Sequence, residues 1–359
     1  MRKTLLLLLA AALFPLAAAA QGVDVESNWE FDMIFPNDST HLVHQDYGVQ
    51  GLAVDNTGKV WVQSHYAREI EDVETNQAQI RVFDVEGNEV DFSPVWAVTI
   101  GDSTYTWGNA AGRGLATDHN GDILASFGAN LFRINAETGE GMEILETELG
   151  PLTSVGVAED GSILVPAVLN DRALPIYSAD MVNLITNVTT ERPGIARSAA
   201  FSADGTTAYI PILGESGGRI LTYQSELGVL GTYTLQDPIA VGVHGETIAI
   251  SPATDVLWVS SGNPSDGINV DAGEPTDTNW ELGYWYGFDQ ETGDVVDWIY
   301  WENYAADTLG SGMVSPRGTA FSPDGQYAYI ANFASSGAGV QRFRLASGVS
   351  SERDALPSA

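Results

Sequence analysis

The chain has 359 residues, with 48 acidic side chains against 15 basic ones and a formal charge of −33. Such a surface repels nucleic acid and anionic lipid, so neither is an expected partner. Cysteine is absent, which excludes disulfides, thiolate zinc sites and cysteine nucleophiles.

Residues 1–20 read as a secretory signal peptide. Arg2 and Lys3 precede an apolar run from Leu5 to Leu13, Pro15 breaks that run, and Ala18-Ala19-Ala20 gives a small-residue cleavage pattern before Gln21. The run is too short to span a bilayer, which takes about 20 apolar residues. The expected localisation is therefore exported, with no membrane insertion. The acidic balance, with Lys3 and Lys59 the only lysines, fits either a high-salt habitat or an ordinary acidic exported protein.

Six copies of one pattern follow, each a small residue, alternating apolar residues, a polar turn and a β-branched or aromatic strand. They begin at Gly51, Gly114, Ser154, Ser198, Thr247 and Gly318. Period-2 alternation marks strands, and the Asn-Thr-Gly, His-Asn-Gly and Asp-Gly turns supply the positive φ of tight reversals. The third place of each copy is small (Ala53, Ala116, Gly156, Ala200, Ala249, Ala320), as innermost strands crowded around an axis require. Third strands are expected at 79–84, 130–135, 219–223, 284–289 and 340–344, and fourth strands at 90–92 and 294–299. No convincing amphipathic helix is found. Four strands per repeat predict an all-β fold, a six-bladed β-propeller of four-stranded antiparallel blades. The sixth copy lacks a fourth strand. The segment 28–35 is expected to supply it and close the ring, burying Trp29, Phe31 and Ile34. The propeller then occupies 21–346 as one domain, and 347–359 reads as a flexible tail.

The strings Phe201-Ser-Ala-Asp-Gly205 and Phe321-Ser-Pro-Asp-Gly325, each followed by a Tyr-bearing strand, resemble the propeller superfamily of NHL, YVTN and SMP-30 (gluconolactonase-like) proteins. The likeness covers nearly all of the chain after the signal peptide and implies the fold more than any activity. In the SMP-30-like lactonases, the positions just before each inner strand give Glu, Asn and Asp ligands to a divalent metal. Here those positions are Gln50, Arg113, Thr153, Arg197, Glu246 and Arg317. A guanidinium does not ligate metal, so that site does not carry over intact.

Arg113, Arg197 and Arg317 at one repeat position instead suggest a cationic ring at the channel mouth. Its planar forks suit carboxylate, phosphate or sulfate, or else they bridge neighbouring blades. Long insertions at 65–76, 101–111, 263–279 and 303–315 fall on the same face, as binding loops do. Tyr47, Tyr66, Tyr105, Trp107 and Tyr304 on or near them either stack on a flat ligand such as a sugar ring or cap the loops. His41, His44, His244 and Glu246 form a candidate metal set. Asp266, Asp271, Glu274 and Asp277 form a candidate calcium loop without EF-hand spacing, or a solvated acidic loop. His65 and His119 read as loop and turn residues. No nucleophile elbow, phosphate loop or dinucleotide fingerprint is present.

The leading expectation is an exported binding propeller that recognises a small anionic molecule, a glycan or a protein segment. Its alternatives are a lactonase- or esterase-type hydrolase using a divalent metal such as calcium, and a structural surface module.

Overall fold

Each repeat folds as a small antiparallel sheet because its polar turn reverses the chain between two alternating strands. At the first turn Asp55 Oδ1 accepts from the N–H groups of Thr57 and Lys59, and Gly58 closes the reversal at φ 88°. Asp118, Asp160, Asp204 and Asp324 accept from N–H groups in their own turns in the same way.

A computed structural model describes residues 25–36, 48–65, 68–70, 73–107, 111–168, 173–190, 194–213, 218–261, 283–301, 316–333 and 339–347. Their strands form a six-bladed β-propeller. Taken from the axis outward, blade 1 is Val49–Val54, Val60–Ser64 and Ile80–Phe83. Blade 2 is Gly112–Thr117, Ile123–Phe127, Asn130–Ile134 and Gly141–Glu146. Blade 3 is Gly156–Val157, Ile163–Leu164, Pro175–Tyr177 and Leu184–Asn187. In blade 4 the inner edge is split into Ile195–Ala196 and Ala200–Phe201, followed by Thr207–Leu213, Arg219–Gln224 and Thr234–Leu235. Blade 5 is Gly245–Ile250, Leu257–Ser261, Tyr284–Phe288 and Val295–Tyr300. Blade 6 is Pro316–Phe321, Tyr327–Asn332 and Gly339–Leu345, completed by the N-terminal strand Trp29–Phe35.

That last pairing closes the ring as expected, with Trp29 opposite Leu345 and Phe35 opposite Val340. The buried residues differ from the expected ones. Trp29 and Phe35 are buried, whereas Phe31 and Ile34 are 39% and 54% exposed. The strand is the outer edge of its blade and its register slips between Phe31 and Met33; Trp29 packs toward blade 5, and Met33 and Phe35 pack toward blade 1.

Two other expectations are corrected. The fourth strand of blade 1 is not a regular strand at 90–92. It is reduced to bridges at Glu89 and Val95, because Ser93 Oγ takes the Val82 N–H that a ladder would use. The first part of the insertion at 101–111 belongs to a hairpin, Ala97–Ile100 against Ser103–Thr106. A second hairpin, Arg68–Ile70 against Val73–Gln77, follows the second strand of blade 1.

Among the described residues, most buried apolar side chains fall into six clusters, one in each gap between neighbouring blades. This division explains how so long a chain folds without one outsized core. The inner strands of successive blades also touch all round the ring. Hydroxyls stitch them together: Thr117 to Val54 O, Ser154 to Leu115 O, Ser198 to Ile248 O and Thr247 to Arg317 O. Among the described residues, no helix is long and apolar enough to cross a membrane.

Candidate functional site

The six residues that precede the repeat copies all stand near the start of the inner strands, at one end of the central channel. Three of them meet across consecutive blades. Glu246 of blade 5 is fully buried and lies between an arginine of blade 4 and one of blade 6. Its Oε2 is 2.9 Å from Arg197 Nη1 and its Oε1 is 3.2 Å from Arg317 Nη1. Arg317 is itself 2% exposed. It donates from Nε to Gln50 Oε1 of blade 1 at 3.3 Å and from Nη1 to the Pro316 carbonyl at 3.1 Å. Its guanidinium carbon lies 4.8 Å from the centre of the Phe333 ring. One network thus crosses four blades.

His65 completes the mouth, although the sequence presented it only as a loop residue. It directly follows the second strand of blade 1, is buried, and stands edge-on to Phe333 with ring centres 5.0 Å apart. Its Nδ1 lies 2.9 Å from the Gly112 carbonyl, which can only accept, so Nδ1 carries a proton. Burial lowers the His65 pKa to about 4, opposed by the bond to Gly112 and helped by the fields of Arg113, Arg317 and Arg197. The imidazole is therefore neutral near pH 7. All three mouth arginines lie within electrostatic reach of this one ring.

The remaining predicted residues separate into distinct roles. Thr153 is buried and tied down, its N–H donating to Pro166 O and its carbonyl accepting from Ser126 Oγ of blade 2. Arg113 is half-buried at the start of blade 2. Gln63, not anticipated, links blades 1 and 2. It donates to Ser126 O at 3.1 Å and accepts from the Gly114 N–H at 2.8 Å.

Trp107 is buried, stacked on Phe127 at 4.2 Å, and donates from Nε1 to Val95 O. Tyr105 packs on Phe132 at 5.7 Å. Both take the capping alternative and seal the gap between blades 1 and 2. Tyr47, Tyr66 and Tyr304 lie outside the described residues, as do His41, His44 and the acidic loop with Asp266, Asp271, Glu274 and Asp277.

His244 is buried, burial lowers its pKa, and its Nδ1 has no hydrogen-bond partner among the described residues. Among the described residues, no group of three or more histidines and acids is placed to share a metal ion. The oxygens of Glu246 and Gln50, the ligands a mouth metal would need, face guanidinium groups instead.

These features define a six-bladed β-propeller with an arginine-lined mouth. Comparison with known protein families finds no family model that matches, and comparison with curated proteins finds no match.

Proposed function

We propose that this chain is an exported binding propeller of the NHL/YVTN/SMP-30 type whose mouth recognises an anionic group. That group is carried by a small molecule, a glycan or a protein segment. The observation that carries the reading is the charge arrangement at the mouth. Glu246 lies beside the guanidinium groups of Arg197 and Arg317, and the fields of Arg113, Arg317 and Arg197 converge on His65. Arg197 is the accessible member of the network, its side chain 19% exposed against 2% for Arg317. With one side committed to Glu246, its planar fork has further donors for an arriving carboxylate, sulfate or phosphate. Each charge-assisted bond contributes about 1.5–3 kcal/mol.

The hydrolase alternative is disfavoured because a metal at Glu246 would have to displace two arginines. A purely structural mouth would use the same contacts and take up no anion. NMR of His65 separates these readings, since an anion among the arginines cancels part of their field. Titration with sulfate or succinate, against chloride at equal ionic strength, is expected to raise the His65 pKa from about 4 toward its ordinary value. Arg197→Lys is expected to weaken this response about tenfold while the fold is retained. A His65 resonance indifferent to both anions would overturn the proposal and leave the mouth a structural clasp.

A further inference from the structure

At the other end of the axis the chemistry reverses. A cavity of about 570 Å³ runs between the inner strands from the level of Gln50 and Thr247 to the turns on the opposite face. Its volume lies within the range of small-molecule sites, about 300–1,000 Å³. The inner strands of blades 1, 2, 5 and 6 have six residues each, so the channel is roughly 20 Å long.

The wall is apolar. All six small repeat residues line it, together with Val157 and Ile250. Ala116, Val157, Ala249 and Ile250 pack against the apolar clusters between blades, yet stay only half-buried, so each leaves part of its surface open at the channel. The polar residues of the wall offer little to water. The hydroxyls of Thr117, Ser154 and Thr247 are used on carbonyls of neighbouring blades. Those of Ser251 and Thr319 are themselves buried.

The rim is acidic. The six turns at this end carry Asp55, Asp118, Asp160, Asp204, Asp255 and Asp324, one in each, and Glu159 adds a further carboxylate. Lys59 pairs with Asp55 and Arg133 with Asp118. Glu159 and Asp255 are exposed and line the opening itself.

We propose that the axial channel binds an amphiphilic cation, with its alkyl body between the inner strands and its ammonium head at Glu159 and Asp255. Apolar walls favour burial of the chain, and the rim carboxylates select the sign of the head group. The acidic rim lies at the opposite end of the channel from the arginine mouth, and the proposal does not rest on the reading of that mouth.

The test is calorimetric titration of the full chain with octyltrimethylammonium, in about 0.5 M NaCl so that the net charge is screened to a few ångströms. One saturable site is expected, with no comparable binding of octyl sulfate or of tetramethylammonium, which lacks the tail. Ala116→Leu and Ala249→Leu add bulk at half-buried positions of the channel lining and are expected to weaken binding about tenfold or more. Retention of their thermal unfolding transition checks that each variant folds. Glu159→Gln with Asp255→Asn leaves the channel walls unaltered and is expected to reduce the preference for the cation over octyl sulfate. The proposal is overturned if the wild type shows no saturable site, if channel-filled variants that fold bind equally, or if octyl sulfate binds as tightly as the cation.

Discussion

Glu246 is the residue on which the mouth depends. It has no exposed surface, and both of its oxygens face guanidinium groups from other blades. Glu246→Gln keeps the shape but takes the carboxylate charge away from Arg197 and Arg317. Removing one partner from such a pair costs about 3–5 kcal/mol. Urea unfolding should show that loss as a lower midpoint with an unchanged slope. A loss below about 1 kcal/mol would mean that water or another group already neutralises Arg317. Part of this arrangement was legible beforehand. Arg197, Glu246 and Arg317 occupy one repeat position in three consecutive blades, and adjacency in the ring brings such positions together. His65 was not legible, because its environment is made by Gly112 and Phe333 from other blades and nothing in its local sequence reports burial. Trp107 shows the converse: an aromatic near a predicted loop proved to be core, because the segment before it doubles back as a hairpin.

At the scale of the strand, the inner edge of each blade is limited by how closely the next one approaches. A Cβ on Gly114 would lie 2.3 Å from Ser154 Cα, a main-chain atom of blade 3 that cannot rotate away. Gly58 is different: nothing lies within 4 Å, and its constraint is a φ of 88°. Gly114→Ala should therefore force neighbouring blades apart, at a cost of about 1–3 kcal/mol. It should also disturb His65, whose partner Gly112 is on the same strand. Gly58→Ala should lower stability by only about 1–2 kcal/mol and leave the His65 resonance in place. Equal spectral effects of the two variants would contradict this division. The strands were well marked in the sequence because turn chemistry and period-2 alternation are local signals. The outer strand of blade 1 was not, since a serine hydroxyl replaces a ladder bond there. Nor was the exposure of Phe31 and Ile34, which follows from a register slip fixed by the partner strand.

Over the whole molecule, the excess of 48 acidic over 15 basic side chains opposes compactness. Added salt screens that repulsion, with a Debye length of about 3 Å at 1 M. The melting temperature should rise by roughly 5 °C or more between low salt and about 1 M NaCl. A flat response would show that the surface carboxylates are spaced widely enough not to oppose folding.

The meeting of the two chain ends in blade 6 has a topological consequence. Trp29 pairs with Leu345, and the Ala346 N–H donates to the Asn28 carbonyl. Asp297 of blade 5 holds the same junction by accepting from Asn28 and from the Trp29 indole. The ring therefore has no structural beginning. A short peptide joining 346 to 28 would make the backbone circular, and the break could be moved to an exposed turn such as Gly101–Asp102, so that blade 6 became a continuous segment and the order of synthesis of the blades changed without altering any gap between them.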